Sequence, residues 1–293
     1  MPTHDQPGST LPRRQLGRAL REAREGVGFT LEQAAREMEM SKTALIRLEK
    51  GHNEKVRVRD VEGFGRLYEL TTQRIEELKA LAQQAATKSW WQASRHLLLS
   101  GYNTYLELES GASELRLYQP LIIPGLLQVE GYASAIERPV LPGDSPEDLD
   151  RRVAVRMRRS AILTRQRIPI TAEFIVHESV LHTVVGSYRV MAGQLRHIAD
   201  MGTRPNVTVR ILPSAAGFPG TAVPVLPYIL IDFPTASAEP SVVFCENPIG
   251  SMFFEEEPDV NRHREIHEAL RSATLEEQPS RDLLRRMARR YEQ

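Results

Sequence analysis

Residues 29–51, Phe-Thr-Leu-Glu-Gln-Ala-Ala-Arg-Glu-Met-Glu-Met-Ser-Lys-Thr-Ala-Leu-Ile-Arg-Leu-Glu-Lys-Gly, constrain the fold more tightly than any other stretch of this chain. Thr30 and Ser41 each precede a run of helical apolar spacing, where a hydroxyl can accept from an orphaned backbone N–H and start a helix. Ala35, Met38, Leu45 and Leu48 fall on facing sides of the two helices, and Ala35 is small enough for a close crossing. Gly51 ends the second helix as a residue free to take positive φ. Two short helices joined by a tight turn are a shape that enters the major groove of DNA. The second helix leaves Lys42, Thr43, Ala44, Arg47 and Lys50 outward. Lys and Arg donate to guanine O6 and N7, Thr can hydrogen-bond or touch a thymine methyl, and Ala44 leaves room for a base edge. Lys42, Thr43 and Arg47 are therefore the expected base contacts, and Thr30, Gln33, Ser41, Lys50 and Asn53 the expected contacts to the DNA backbone. Any helical bundle can carry such a polar face merely solvated, so the pattern by itself leaves both readings open.

The segment resembles the helix-turn-helix of the Cro/lambda-repressor (Xre) family through Thr30, Ala35, Ser41, Leu45, Leu48, Glu49 and Gly51. The resemblance implies a sequence-specific transcription regulator acting on double-stranded DNA as a homodimer. Two positions depart from the family pattern. Leu31 stands where a Gln often touches phosphate, which leaves that task to backbone N–H groups, and Glu39 stands where the turn often has Gly, so the turn must tolerate a Cβ.

Flanking periodicity completes an all-α bundle of five helices. Leu11, Leu16, Ala19, Leu20 and Ala23 form one stripe before the motif, and Val58, Val61, Phe64, Leu67 and Tyr68 another after it. A fifth helix is expected from Thr71 to Ala86. Residues 1–60 hold twelve Lys and Arg against nine Asp and Glu, while the whole chain holds 38 of each sign. Nothing here attracts nucleic acid indiscriminately, so binding would come from a local, salt-sensitive patch and gain from pairing of two chains.

The remaining length is ample for a second core. Domain expectations are a flexible tail at 1–10, the DNA-binding bundle at 11–87 and a second, α+β domain at 88–293, making the chain α+β overall. Trp90 and Trp91 at the junction read as interface-sealing aromatics. Leu115 to Tyr118, Ile170 to Val176, Val207 to Leu212, Val223 to Phe233 and Val242 to Cys245 have strand composition, with Met252 to Phe254 as a short addition. Strands joined late by turns favour a mixed or antiparallel sheet over a doubly wound one. Pro124 suits a first helical turn, with Leu126, Val129, Ala133 and Ile136 on one helix face. Further helices are expected over Leu149 to Thr164, Met191 to Met201, Asp259 to Arg271 and Ser280 to Gln293.

Glu107-Leu108-Glu109, Ile123-Pro124-Gly125-Leu126-Leu127-Gln128 with Tyr132-Ala133, Arg151-Arg152-Val153 with Arg156, Gln194-Leu195, Asn206-Val207 and Leu212-Pro213 are similar to a large domain found behind Xre-type modules in actinomycete, WhiJ-like regulators. That resemblance implies a domain receiving a small-molecule effector or a small companion protein. An antitoxin-like interaction module, with DNA contact secondary, is the alternative.

Arg152, Arg156 and Arg159 share a helix face and are the candidate ligand-binding residues, suited to a carboxylate or phosphate. The competing reading pairs this Arg-rich run, which extends to Arg167, with acids such as Glu255, Glu256 and Glu257. His177-Glu178-Ser179-Val180-Leu181-His182 misses the zinc-protease spacing by one residue. His263 and His267 share a helix face but have no evident third ligand. No Walker, dinucleotide or nucleophile-elbow motif occurs, so no catalysis, metal or cofactor is expected. One cysteine, Cys245, and no apolar run near the ~20 residues of a membrane span fit a cytoplasmic, nucleoid-associated protein without membrane partners.

Overall fold

A computed structural model describes residues 11–53, 56–85, 102–138, 145–165, 170–221, 223–235, 239–247 and 250–293. The expected tail at 1–10, Trp90, Trp91 and Arg167 lie outside these residues.

Among the described residues six helices come first: α1 (Leu11–Gly26), α2 (Leu31–Glu37), α3 (Lys42–Glu49), α4 (Val58–Leu67), α5 (Thr72–Ala85) and α6 (Tyr102–Gly111). Among the described residues these six, with Thr235 and Glu239, form one compact unit, and the rest form a second. The five expected bundle helices are all present. Their core is one cluster built from Leu16, Leu20, Ala34, Ala35, Leu45, Leu48, Val61, Phe64, Tyr68, Leu78 and Ala82. Burial of these side chains is what holds such short helices, since seven- and eight-residue segments are too short to persist alone in water.

The helix ends explain the sharp turns. After α2, the N–H of Met40 bonds to the Ala35 carbonyl at 2.9 Å and that of Glu39 to the Arg36 carbonyl at 3.0 Å. After α3, His52 bonds to Arg47 and Gly51 to Leu48 at 2.8 and 2.9 Å, and after α4, Leu70 bonds to Gly65 and Glu69 to Arg66 at 2.9 and 3.2 Å. Each is a Schellman closure, which needs a left-handed residue just past the helix. Gly51 meets that need with φ of 69°, but Glu39 and Glu69 take it with φ of 51° and 56°. The turn therefore keeps the glycine-type geometry despite its Cβ. Glu39→Gly is expected to stabilise the bundle by about 0.5–1 kcal/mol, the strain relieved less the added unfolded-state entropy. A higher urea midpoint at unchanged m-value checks this.

The second unit is built on β1 (Glu114–Gln119), β2 (Thr171–His177), β3 (Val207–Leu212), β4 (Tyr228–Asp232), β5 (Val242–Asn247) and β6 (Gly250–Phe254). They form one mixed sheet in the order β3-β2-β1-β4-β5-β6. β1, β2 and β3 run parallel, while β1 with β4, β4 with β5 and β5 with β6 are antiparallel. Parallel neighbours require crossovers, supplied by α7 (Glu130–Glu137) and α8 (Pro146–Arg159) before β2 and by α9 (Tyr188–Met201) before β3. α10 (Glu257–Ser272) follows the meander and supplies Val260 and Leu270 to the core under Tyr118, Ile175, Leu212, Tyr228, Leu230 and Val243. α11 (Glu277–Arg290) packs on α9 and β3. Ser280 and Leu275 close the open edge of β3, the Ser280 Oγ accepting from the Ile211 N–H at 3.0 Å and the Leu275 N–H donating to the Ile211 carbonyl at 2.9 Å.

Two expectations change. The strand expected over Val223 to Phe233 begins only at Tyr228, because Pro224 and Pro227 have no N–H to give a ladder. The helix expected from Pro124 is instead a single 3-10 turn, Gly125–Leu127, broken from α7 by Gln128 and Val129 in extended conformation. Side chains hold that break. Gln128 Nε2 donates to the Ile123 carbonyl at 2.7 Å, and Gln194 both donates to the Leu127 carbonyl at 2.6 Å and accepts from the Val129 N–H at 2.8 Å.

Candidate nucleic-acid interface

Thr30 caps α2 reciprocally with Gln33: the Thr30 Oγ1 accepts from the Gln33 N–H at 3.2 Å, and the Gln33 Oε1 accepts from the Thr30 N–H at 2.8 Å. This capping box satisfies two orphan donors and engages the carbonyl end of Gln33, leaving its amide N–H groups to donate outward. Ser41 caps α3 by accepting from the Ala44 N–H at 3.1 Å. Leu45 and Leu48 are buried, and Lys42, Thr43, Arg47 and Lys50 are exposed on the opposite side. Asn53, just past the helix, is half-buried. The structure thus places four of the expected contacts on one outward row of α3 and Thr30, Gln33 and Ser41 on exposed helix starts.

What seats this row is an ion pair that the sequence did not reveal. Arg24 of α1 is 6% exposed and grips Glu49 at the end of α3, with Nε to Oε1 at 2.7 Å and Nη2 to Oε2 at 3.0 Å. Its Nη1 donates to the Phe29 carbonyl at 2.8 Å, and its Nη2 also reaches Glu25. The hydrogen bond to Glu49 raises the guanidinium pKa above its ordinary value, against the lowering effect of burial. Fork-to-fork geometry fixes orientation as well as distance. Close backbone approach adds to it: a Cβ at Gly17 would lie 2.5 Å from the Leu48 carbonyl oxygen and 2.6 Å from that of Glu49. α1 therefore meets the last turn of α3 where only glycine fits. A cleft of about 350 Å³ beside this contact is lined by Arg21, Leu31, Ile46 and Lys50 among others.

Lys42, the first residue of α3, forms an ion pair with Glu32 of α2 in which both side chains are about half exposed. The hydrogen bond from Lys42 and one from the backbone hold the Glu32 carboxyl below the usual carboxylate range.

In the second unit, two of the candidate ligand-binding arginines, Arg152 and Arg156, meet an internal carboxylate. Arg152 Nε donates to Glu137 Oε2 at 3.1 Å, and Arg156 Nη2 donates to Glu137 Oε1. Arg156 Nη1 also reaches Gln128 Oε1 at 3.2 Å. The carboxylate that these two arginines share is thus an internal one, Glu137 from α7. Arg159 is buried beside Gly125, where a Cβ would stand 3.4 Å from its Nη1. These residues tie α8 to the 3-10 turn. Tyr132 contributes as well, its hydroxyl accepting from the Ile123 N–H at 3.2 Å.

The histidines also have internal partners. His177 Nδ1 accepts from the Ser179 N–H at 3.2 Å. His267 is 1% exposed, with Nδ1 at 3.0 Å from the Tyr228 hydroxyl and Nε2 at 3.2 Å from Glu173. His263 packs edge-on to the same Tyr228 ring at a centroid distance of 5.4 Å. Among the described residues no cluster of three or more His, Cys, Asp or Glu is placed to hold a metal ion. Nor is any helix there long and apolar enough to cross a membrane.

Residues 15–78 match the family model described as a helix-turn-helix domain, which suggests a DNA-binding regulator. Residues 102–286 match the model of a domain of unknown function (DUF5753), and because the match covers more than half the chain, the protein belongs to that family. No curated protein and no solved structure matches the chain.

Proposed function

We propose that the protein is a sequence-specific transcription regulator of the Xre type, related to the WhiJ-like actinomycete regulators and confined to the cytoplasm at the nucleoid. Lys42, Thr43 and Arg47 read base edges, while Thr30, Gln33, Ser41, Lys50 and Asn53 hold the DNA backbone. The observation that carries this reading is the outward row of α3, cationic and exposed on a helix whose other side is locked by Leu45, Leu48 and the Arg24–Glu49 pair. A helix that must present side chains to base edges needs such fixed seating. A module with so slight a basic excess makes few phosphate contacts, which supports binding as a homodimer to two half-sites about one helical turn apart. The second domain acts on this dimer as a receiver for a small molecule or a companion protein and performs no catalysis.

Arg47→Ala is expected to weaken binding to the preferred site by about 1–3 kcal/mol and to flatten the preference among related sites. The measurement is a gel-shift titration of the full chain against duplexes recovered from a randomised pool. Unchanged affinity and preference would remove Arg47 from the reading set.

A further inference from the structure

We propose that Glu32 determines specificity at this surface by restraining Lys42, so that the lysine adds little to binding of arbitrary DNA. The inference rests on the DNA-binding reading above. Glu32 is the second residue of α2 and Lys42 the first of α3, so their ion pair bridges the two helices across the turn on the solvent side. Among the described residues no ion pair involves the other two outward cations of α3, Arg47 and Lys50. Glu37 and Glu39 are also exposed close by, but the carboxylate paired with an α3 cation on the reading face is that of Glu32.

The chemistry of lysine makes this difference matter. An ammonium on a flexible four-carbon stem is a point charge that any phosphate can draw in, whereas a guanidinium fork carries directional preference. Left unpaired, Lys42 would add affinity for every sequence alike, because phosphate contacts carry no sequence information. Paired with Glu32, it must exchange a carboxylate for a phosphate, and the two anions compete for one cation. A half-exposed pair is weak and screened by salt, so the restraint is a graded bias, strongest where a nonspecific complex has nothing further to offer. A base edge correctly placed for Lys42 adds hydrogen bonds that the bare phosphate lacks. Glu32 thereby lowers the background more than it lowers the specific complex.

The test compares the wild-type full chain with Glu32→Gln, which keeps size and hydrogen-bonding capacity and leaves the Thr30–Gln33 capping box in place. Two probes are titrated over a salt series: a mixed-sequence duplex of about 30 base pairs and a duplex recovered with the wild-type chain from a randomised pool, circular dichroism confirming the fold. Glu32→Gln is expected to steepen the salt slope on the mixed-sequence duplex by a fraction of one and to raise its affinity roughly two- to fivefold at low salt, the gain fading as salt rises. Affinity for the selected duplex is expected to rise less, so the ratio between the two falls. In a Lys42→Ala background the same substitution is expected to leave slope and affinity unchanged. An unaltered slope in Glu32→Gln overturns the proposal, as does the same steepening without Lys42, which would mean that the carboxylate acts on phosphate directly. Should neither chain bind either duplex, the DNA-binding reading falls too; wild-type binding with a slope indifferent to Glu32 removes this inference alone.

Discussion

Replacing Arg24 with alanine is expected to lower the stability of the helix-turn-helix unit by about 3–5 kcal/mol, the range for removing one partner of a buried ion pair. The reason is the group left behind. Glu49 is almost fully buried in its side chain, as is Arg24, and both its oxygens accept from the one guanidinium. Alanine at 24 would strand that carboxylate and also release the Phe29 carbonyl that Arg24 Nη1 satisfies at 2.8 Å. Arg24→Lys should fall between wild type and Arg24→Ala, because an ammonium keeps the charge but lacks the fork that meets both oxygens. Replacing both partners with apolar residues, Arg24→Met with Glu49→Leu, is expected to cost less than Arg24→Ala or Glu49→Ala alone, since no charge is stranded. Urea unfolding of the full chain, with amide exchange of α1 and α3 as the local probe, measures all four. A loss below 1 kcal/mol for Arg24→Ala would show that Gly17 and the apolar contacts seat α3 without the pair. Because Glu49 ends the helix that carries Arg47, DNA affinity should fall together with the local exchange protection.

The parts of this molecule that were legible in the sequence are those specified within about one helix length. Thr30 and Ser41 mark helix starts because capping is local, and the spacing of Leu16, Leu20, Leu45, Leu48, Val61 and Phe64 reports burial because one helical face repeats every 3.6 residues. The mixed sheet was legible as a class, but not its order, since parallel pairing of β1 with β2 joins residues more than fifty positions apart. Arg24 and Glu49 lie 25 residues apart on different helices, so nothing in either neighbourhood announces their contact. Glu39 misleads in the opposite sense. Its identity argues against a left-handed turn, yet the Schellman closure and the packing around Met38 and Met40 outweigh the strain of a Cβ at φ of 51°. Pro224 and Pro227 carry the information that shortens the strand before Tyr228, against the apolar composition of Val223, Val225 and Leu226.

Glu137→Ala is expected to destabilise the second unit by about 3–5 kcal/mol, more than an ordinary surface acid by several-fold. Arg152 and Glu137 are nearly buried in their side chains and Arg156 mostly so, and one carboxylate serves both guanidiniums. Its removal takes away the carboxylate that Arg152 Nε and Arg156 Nη2 share in a poorly solvated space, where neither guanidinium can shed a proton at neutral pH, with Glu246 a further acid acting on Arg156. Consequences should spread along the links already described. Arg156 also holds Gln128, and Gln128 holds the Ile123 carbonyl, so the 3-10 turn at Gly125–Leu127 is expected to lose protection with α8. Glu137→Gln keeps one acceptor oxygen and the volume, and should recover part of the loss. This separates a structural role from a ligand site. If Arg152 and Arg156 served mainly to bind an external carboxylate or phosphate, freeing them from Glu137 would raise affinity for added phosphate at little cost in stability. The geometry predicts the reverse: a large fall in unfolding free energy in urea, and partial recovery of stability by added phosphate only to the extent that the anion replaces the missing carboxylate between the two arginines. Stability within 1 kcal/mol of wild type, with phosphate binding gained, would return the cluster to the status of a binding site.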